Sequence, residues 1–240
     1  MTAHVMLPRM RGRVSYRSLT SGSEWGFEDW SITRGSDGLR VMQAHCEMTF
    51  GGETIIRDSI LSVQRDWHPR DASVRIMRDG ALSGTGWFLF GDDEVECESW
   101  SVAEGRLRQT MPISRPIRGF GIHAVTGDGW LAAGFPYEEG PGHTQYYGRN
   151  LLHSLHHFGA TGPSIATSES GLLYVGLENV EVPAGRFDCH RLRFVGMKND
   201  HPVYDMWISA EGDFLFVKGI VEGYMESEFL LDSLTRENSA

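Results

Sequence analysis

From Leu172 to Leu231 the chain alternates apolar and polar residues in short segments, and Gly, Pro, Asp and Asn interrupt them at nearly regular spacing. Alternation with period two belongs to a strand that buries one face, and a helix cannot satisfy it. The clearest stretch runs from Val180 to Phe194, where Val182-Pro183-Ala184-Gly185 reads as a turn leading into a strand. That strand puts His190, Leu192 and Phe194 on one face and Arg191 and Arg193 on the other. An imidazole flanked by apolar groups on the inner face of a curved sheet suits a ligand cavity, so His190 is a candidate substrate-binding residue.

The same grammar runs upstream. Turn signals recur about every 8 to 14 residues, among them Gly35-Ser36-Asp37-Gly38, Gly51-Gly52, Asp79-Gly80 and Gly91-Asp92-Asp93. Arg40 to Phe50 alternates, with Met42, Ala44, Cys46, Met48 and Phe50 on one face. Val74–Arg78 and Leu82–Phe90 flank Asp79-Gly80, a tight hairpin. Regular short strands joined by hairpins make a meander, and a long meander manages its edges by closing or curling. The expected fold is therefore all-β: an antiparallel meander forming a β-barrel or curled half-barrel, with a long irregular crossing and one or two short helices.

Residues 1–20 read as a loose arm, 21–232 as one barrel-like domain, and 233–240 as a frayed tail. Within the domain, 113–170 lacks clean alternation and is expected to cross the cavity mouth, as long irregular segments in regular domains often serve function. Short helices are expected only at Leu131-Ala132-Ala133 and over Asn150–His157.

With 240 residues, the chain buries enough surface to need no disulfide or metal staple. Its 22 basic against 32 acidic residues, net charge -10, argue against nucleic acid or an anionic membrane as partner. Cys46, Cys97 and Cys189 are far apart and form no C-x-x-C pair, which reads as buried free thiols in a reducing compartment. Met1–Leu19 carries four arginines and no apolar run of signal-peptide length, so the expected setting is cytoplasmic.

Val182-Pro183-Ala184-Gly185-Arg186-Phe187-Asp188-Cys189, followed by Tyr204-Asp205-Met206-Trp207 and a final meander over Phe214–Leu231, resembles a broad group of uncharacterised bacterial β proteins. Their V-P-A-G-x-F-x-C start and Y-D-x-W strand match here over roughly residues 170–232, and the group is similar to the curved half-barrel of lipoprotein carriers. The resemblance implies a lined interior and a lipid-like or aromatic occupant. Many members are exported, and this chain shows no export signal, which departs from a carrier working between membranes.

Four constellations are chemically suggestive. In Arg118–Trp130, glycines allow close backbone approach to a ligand. There His123 is a candidate acid or base, Asp128 its orienting carboxylate, Trp130 an aromatic wall and Arg118 an anion holder. In Tyr204-Asp205-Met206-Trp207, Asp205 and Trp207 share a face with each other and Tyr204 with Met206; an inward Asp205 near His190 would be a perturbed carboxylate, and Tyr204 could hold an oxyanion. His45 and Glu47 share a strand face that meets either solvent or a polar cavity. His153, His156 and His157, with His143 upstream, would place His153 and His157 one turn apart on a helix, a metal-ligating spacing that lacks a carboxylate partner. Trp87 joins Trp25, Trp30, Trp100, Trp130 and Trp207 as candidate cavity lining. No phosphate-binding loop, dinucleotide fingerprint or nucleophile elbow is present.

These features predict a cofactor-independent enzyme, a lyase, dehydratase or isomerase using general acid/base chemistry on an apolar or aromatic small molecule, for instance an aldehyde-releasing lyase of lignin-type aromatics. The alternative is a non-catalytic barrel that binds a lipid or aromatic molecule. No cofactor and no metal are expected, and a second copy of the chain is the one protein partner kept in view.

Overall fold

A computed structural model describes residues 9–114, 117–197, 202–223 and 226–237. Eight consecutive antiparallel strands come first: β1 (Arg9–Ser18), β2 (Glu24–Arg34), β3 (Arg40–Phe50), β4 (Glu53–Val63), β5 (Pro69–Arg78), β6 (Ala81–Phe90), β7 (Glu94–Ser101) and β8 (Gly105–Pro112). Then follow the two-residue β9 (Phe120–Gly121), helix α1 (Val125–Leu131) and a single 3-10 turn at Tyr137–Glu139. The second meander comprises β10 (Thr144–Leu152), β11 (Ala166–Val182), β12 (Gly185–Val195), β13 (Val203–Ser209), β14 (Phe216–Glu222) and β15 (Ser227–Glu237).

All fifteen strands of the described residues form one sheet in the order β8-β7-β6-β5-β4-β3-β2-β1-β15-β14-β13-β12-β11-β10-β9. Pairing between β1 and β15 joins the two meanders, and among the described residues only β9–β10 is parallel. The ends β8 and β9 are not paired with each other, so the sheet is an open, curled barrel-like sheet. Alternation sets its inner face as expected: Met42, Ala44, Cys46 and Met48 of β3 are buried, and β5 and β6 form the hairpin around Asp79-Gly80. Helix α1 lies inside the curl, with Trp130 against Trp67 at 6.0 Å and Gly129 against the Phe214 carbonyl. Trp67 comes from the β4–β5 turn and Phe214 from the β13–β14 turn, so α1 ties the two meanders together across the interior.

Several expectations are corrected. Arg9–Ser18 is a central strand rather than a loose arm. Its arginines are the outward set, and three of the four face an acidic group on a neighbouring strand: Arg13 with Asp29 at 2.7 Å, Arg17 with Asp232 at 3.1 Å and Arg11 with Glu237 at 2.9 Å, while Arg9 donates to Ser31 Oγ at 3.3 Å. The inward set (Val14, Tyr16) is too short to announce a strand beside so many charges. The tail is likewise ordered through Glu237, which pairs with Arg9; residues 238–240 lie outside the described residues.

The 113–170 segment is not a plain crossing, because β10 and the start of β11 extend the sheet there. No helix forms over 150–157: Leu152 ends a strand, so the helical spacing of His153 and His157 does not arise. The helix of this region is α1, which stops at Leu131 where one was expected to begin. Residues 153–165 fold back inside, where the Ile165 N–H donates to Gln109 Oε1 at 2.7 Å and the His153 N–H to the Gly121 carbonyl at 3.1 Å.

Candidate functional site

The curl holds a half-open cavity of about 980 Å3, bounded by α1, β10, β11 and the inner faces of β12–β15. That is the size of a site for a drug-sized molecule. Leu131, Leu151, Leu172, Phe194, Val221 and Phe229 supply apolar wall, while His123, Asp128, Tyr204 and Arg118 supply polar groups.

The polar wall rests on charges buried beneath it. Glu28 points inward from β2, in phase with Trp30 and Ile32, and is fully buried. One carboxylate oxygen accepts from the Val125 N–H at 2.9 Å, the Tyr16 hydroxyl at 2.9 Å and Cys46 Sγ at 3.2 Å; the other accepts from the Thr126 N–H at 3.0 Å. The Ala124 side chain does not cap α1, so a carboxylate from a distant strand satisfies the first-turn amides that helices leave unpaired. Arg57, inward on β4 and 1% exposed, donates to the His123 and Phe158 carbonyls and has Cys46 Sγ at 3.4 Å. Burial and the Glu28 charge push the Cys46 thiol up to about 12, so it sits there as a neutral filler.

Held this way, His123 takes a φ of 60°, uncommon for a residue with a side chain. Its Nδ1 lies 3.3 Å from Nδ1 of the fully buried His153, whose Nε2 lies 3.2 Å from the Gly159 carbonyl oxygen. Gly159 must be glycine: its φ is 61°, and a Cβ would sit 2.8 Å from the His123 side chain. Burial, the His153 ring and the Arg57 charge hold the His123 imidazole well below its usual range. Burial and Arg57 bring His153 to about 3. Both rings are neutral at physiological pH.

Asp128 of α1 accepts the Tyr204 hydroxyl at 3.0 Å. Burial raises its carboxyl to about 7, against the lowering effect of that hydrogen bond, and raises the Tyr204 phenol well above its ordinary value. A carboxyl that changes charge near neutrality can accept or deliver a proton there. Among the described residues, no three His, Cys, Asp or Glu side chains come together as a metal site.

His123, Asp128, Tyr204 and Arg118 thus line one cavity, but their pairing differs from expectation. Tyr204 hydrogen-bonds Asp128, and the ring that meets His123 is His153. Asp205 lies on the opposite, outer face of β13, clamped by Arg191 and Arg193 at 2.6 Å each. Burial alone would raise it, but those guanidinium bonds outweigh that and lower it. Trp207 shares the outer face, donating to Glu178 at 2.7 Å with Arg191 over its ring. His45 is also outside, bonded to Asp58 at 2.6 Å and Glu47 at 3.0 Å. Trp87 is 44% exposed and Trp100 39% exposed.

His190 lies apart from the cavity wall, stacked on Tyr137 at 3.9 Å with Tyr174 Oη at 3.1 Å. Trp130, two residues after Asp128 and so on the far side of a helix, packs in the core against Trp67.

Sequence reasoning does not single out Glu28 and Arg57, and it takes His153 as a metal-ligating candidate rather than as the partner of His123. A signal existed for the first two: each is a charged residue in phase with the apolar face of its strand, Glu28 with Trp30 and Ile32, Arg57 with Ile55 and Leu61. Charges at inward positions survive only when partnered, so they mark a buried network.

No family model matches the chain, and no curated protein matches it in sequence. In structure it is similar to a β-barrel-like protein of the domain of unknown function DUF1849 from Brucella abortus, at TM-score 0.55 and 9% identity, over 98% of this chain and 99% of that one. It is also similar to a DUF1089 family protein from Pseudomonas aeruginosa, at TM-score 0.44 and 11% identity, over 82% of this chain and 89% of that one. At 9% identity the Brucella likeness concerns fold alone, and it spans nearly the full length of both chains: this protein has a β-barrel-like fold.

Proposed function

We propose that the protein binds a largely apolar small molecule of aromatic or lipid-like character inside the curl. The observation that carries this reading is the cavity of about 980 Å3, whose apolar lining is interrupted by His123, Asp128, Tyr204 and Arg118. Apolar surface supplies affinity, and a few convergent polar groups supply orientation. Three buried free thiols accord with a cytoplasmic setting, which belongs to the same proposal. The test uses the neutral fluorophore 1-N-phenylnaphthylamine. Saturable binding at one molecule per chain, lost when Leu172→Trp fills the cavity, is expected. Binding equal in both proteins would refute the site.

A second reading is favoured by the Asp128–Tyr204 pair, whose carboxyl is poised at about 7. In it the occupant is transformed by general acid/base catalysis, as by a cofactor-independent lyase, dehydratase or isomerase. Asp128 and His123 would be the proton-handling groups. An aldehyde-releasing lyase of lignin-type aromatics is one form of this reading. Purified protein incubated with aromatic mixtures and followed by mass spectrometry should then consume a compound that Asp128→Asn and His123→Ala leave intact. A compound retained unchanged by the parent would leave the binding reading and remove this one.

A further inference from the structure

The two histidines behind the cavity wall determine which ring nitrogen is offered to a ligand. A neutral imidazole has one N–H donor and one bare acceptor. His153 Nε2 lies 3.2 Å from the Gly159 carbonyl oxygen, which can only accept, so Nε2 carries the proton. Buried beside Arg57, His153 stays neutral, and its Nδ1 is therefore bare. That nitrogen lies 3.3 Å from His123 Nδ1, which must donate to it. A neutral His123 that gives its proton inward is left with a bare Nε2. No hydrogen bond to this atom is found among the described residues, and His123 is one of the residues that line the cavity.

Asp128 presents a second acceptor in the lining of the same cavity. Tyr204 occupies Oδ2, and Oδ1 takes no hydrogen bond among the described residues. Two acceptors set in one apolar chamber require donors from the occupant. A carboxylate ligand would bring acceptors against these two acceptors and would have to turn to Arg118 of the lining instead, and an ether has nothing to donate to them. An ammonium group would add positive charge close to Arg57, whose guanidinium bonds the His123 carbonyl.

We propose that the occupant is an alcohol or phenol that donates hydroxyl groups to His123 Nε2 and Asp128 Oδ1, with His153 as the positioning residue that holds His123 in this tautomer. The proposal rests on the binding reading above and deepens it. Under the acid/base reading, the same bare Nε2 is the atom that would take a hydroxyl proton.

The test is a matched panel competed against 1-N-phenylnaphthylamine at mildly alkaline pH: 4-phenylphenol, 4-methoxybiphenyl and biphenyl-4-carboxylate. The phenol should bind about tenfold or more tightly than the ether, the usual worth of a hydrogen bond to a charged or fixed acceptor. That preference should shrink to about threefold or less in His123→Ala, which removes one of the two acceptors. Nitrogen NMR of the parent should show His123 Nε2 as the bare, pyridine-like nitrogen. His153→Phe should lose that signature and His153→Asn, whose amide oxygen can accept from Nδ1–H, should restore it.

Equal affinity for phenol and ether would overturn the ligand class while leaving the binding reading in place. Failure of the fluorophore and all three compounds to bind would overturn both. A protonated Nε2 in the parent spectrum would overturn the proposal even if His153→Phe did not fold.

Discussion

Replacing Arg57 by Met tests whether the site is seated on buried charge. Arg57 is 1% exposed and donates to the backbone carbonyls of His123 and Phe158, beside Glu28 and the Cys46 sulfur. Methionine fills much of the same volume and donates nothing. Each carbonyl left without a donor costs about 1–3 kcal/mol. Removing one member of a buried charged constellation costs about 3–5 kcal/mol as a whole. These two figures describe the same lost contacts and are not summed, so the expected destabilisation is about 3–5 kcal/mol. For a chain of this length that lowers Tm by roughly 6–20 °C.

Urea denaturation and calorimetry would read this loss, with Arg13→Met as the matched control. Arg13 makes two bonds of 2.7 Å to Asp29, but the side chains are 41% and 49% exposed, so about 1 kcal/mol or less is expected there. The parent's fluorophore affinity should also fall in Arg57→Met, because the His123 carbonyl loses its anchor. If Arg57→Met stayed within about 1 kcal/mol of the Arg13 control, the account of the seat would be wrong.

Asp128, raised from 3.8 to about 7, holds its proton in the folded state while the unfolded chain has lost it; stability should therefore fall as pH rises from about 4 to about 7 and level off above, by at most about 4 kcal/mol. Asp128→Asn should flatten that slope in pH-dependent urea melts, and an unchanged slope would refute the assignment. Gly129→Ala places a Cβ 2.2 Å from the Phe214 carbonyl oxygen, so α1 must shift; a loss of about 1–3 kcal/mol with weaker fluorophore binding is expected, and an unaltered melt would exclude the close approach. Asp205→Asn should cost about 1–2 kcal/mol at neutral pH, a contribution the parent itself loses as pH falls through the carboxylate range. Since Asp205 and Trp87 lie on the outer face, Asp205→Asn and Trp87→Ala should leave fluorophore affinity intact, and a marked loss in either would put the cavity on the wrong side of the sheet.

Strands, turns and the meander were legible because they are local. Met42 to Phe50 alternates within one segment, and Asp79-Gly80 closes a hairpin between adjacent runs. β1 reads as an arm because its signal is half non-local: its arginines look unstructured until Asp29, Asp232 and Glu237 stand opposite Arg13, Arg17 and Arg11. The candidate site was half legible. Glycine-rich Arg118–Trp130 drew attention to His123 and Asp128, yet their partners are Tyr204, 76 residues beyond Asp128, and His153. Glu28 caps a helix 97 residues away.

The alternation in this sequence by itself determined an all-β meander and which residues share each strand face, because side-chain direction in a strand repeats every two residues. It did not determine which face lies inside. On β13, Tyr204 and Met206 compete with Asp205 and Trp207, both sets containing large apolar groups, and the choice falls to curvature and register across neighbouring strands. Only the tertiary structure turned Tyr204 toward Asp128 and Asp205 toward two arginines, and so separated a carboxyl poised near neutrality from one held low. Both are aspartates, and their difference comes from what the curl of the sheet brings beside each one: burial with a single hydroxyl for Asp128, two guanidinium groups for Asp205.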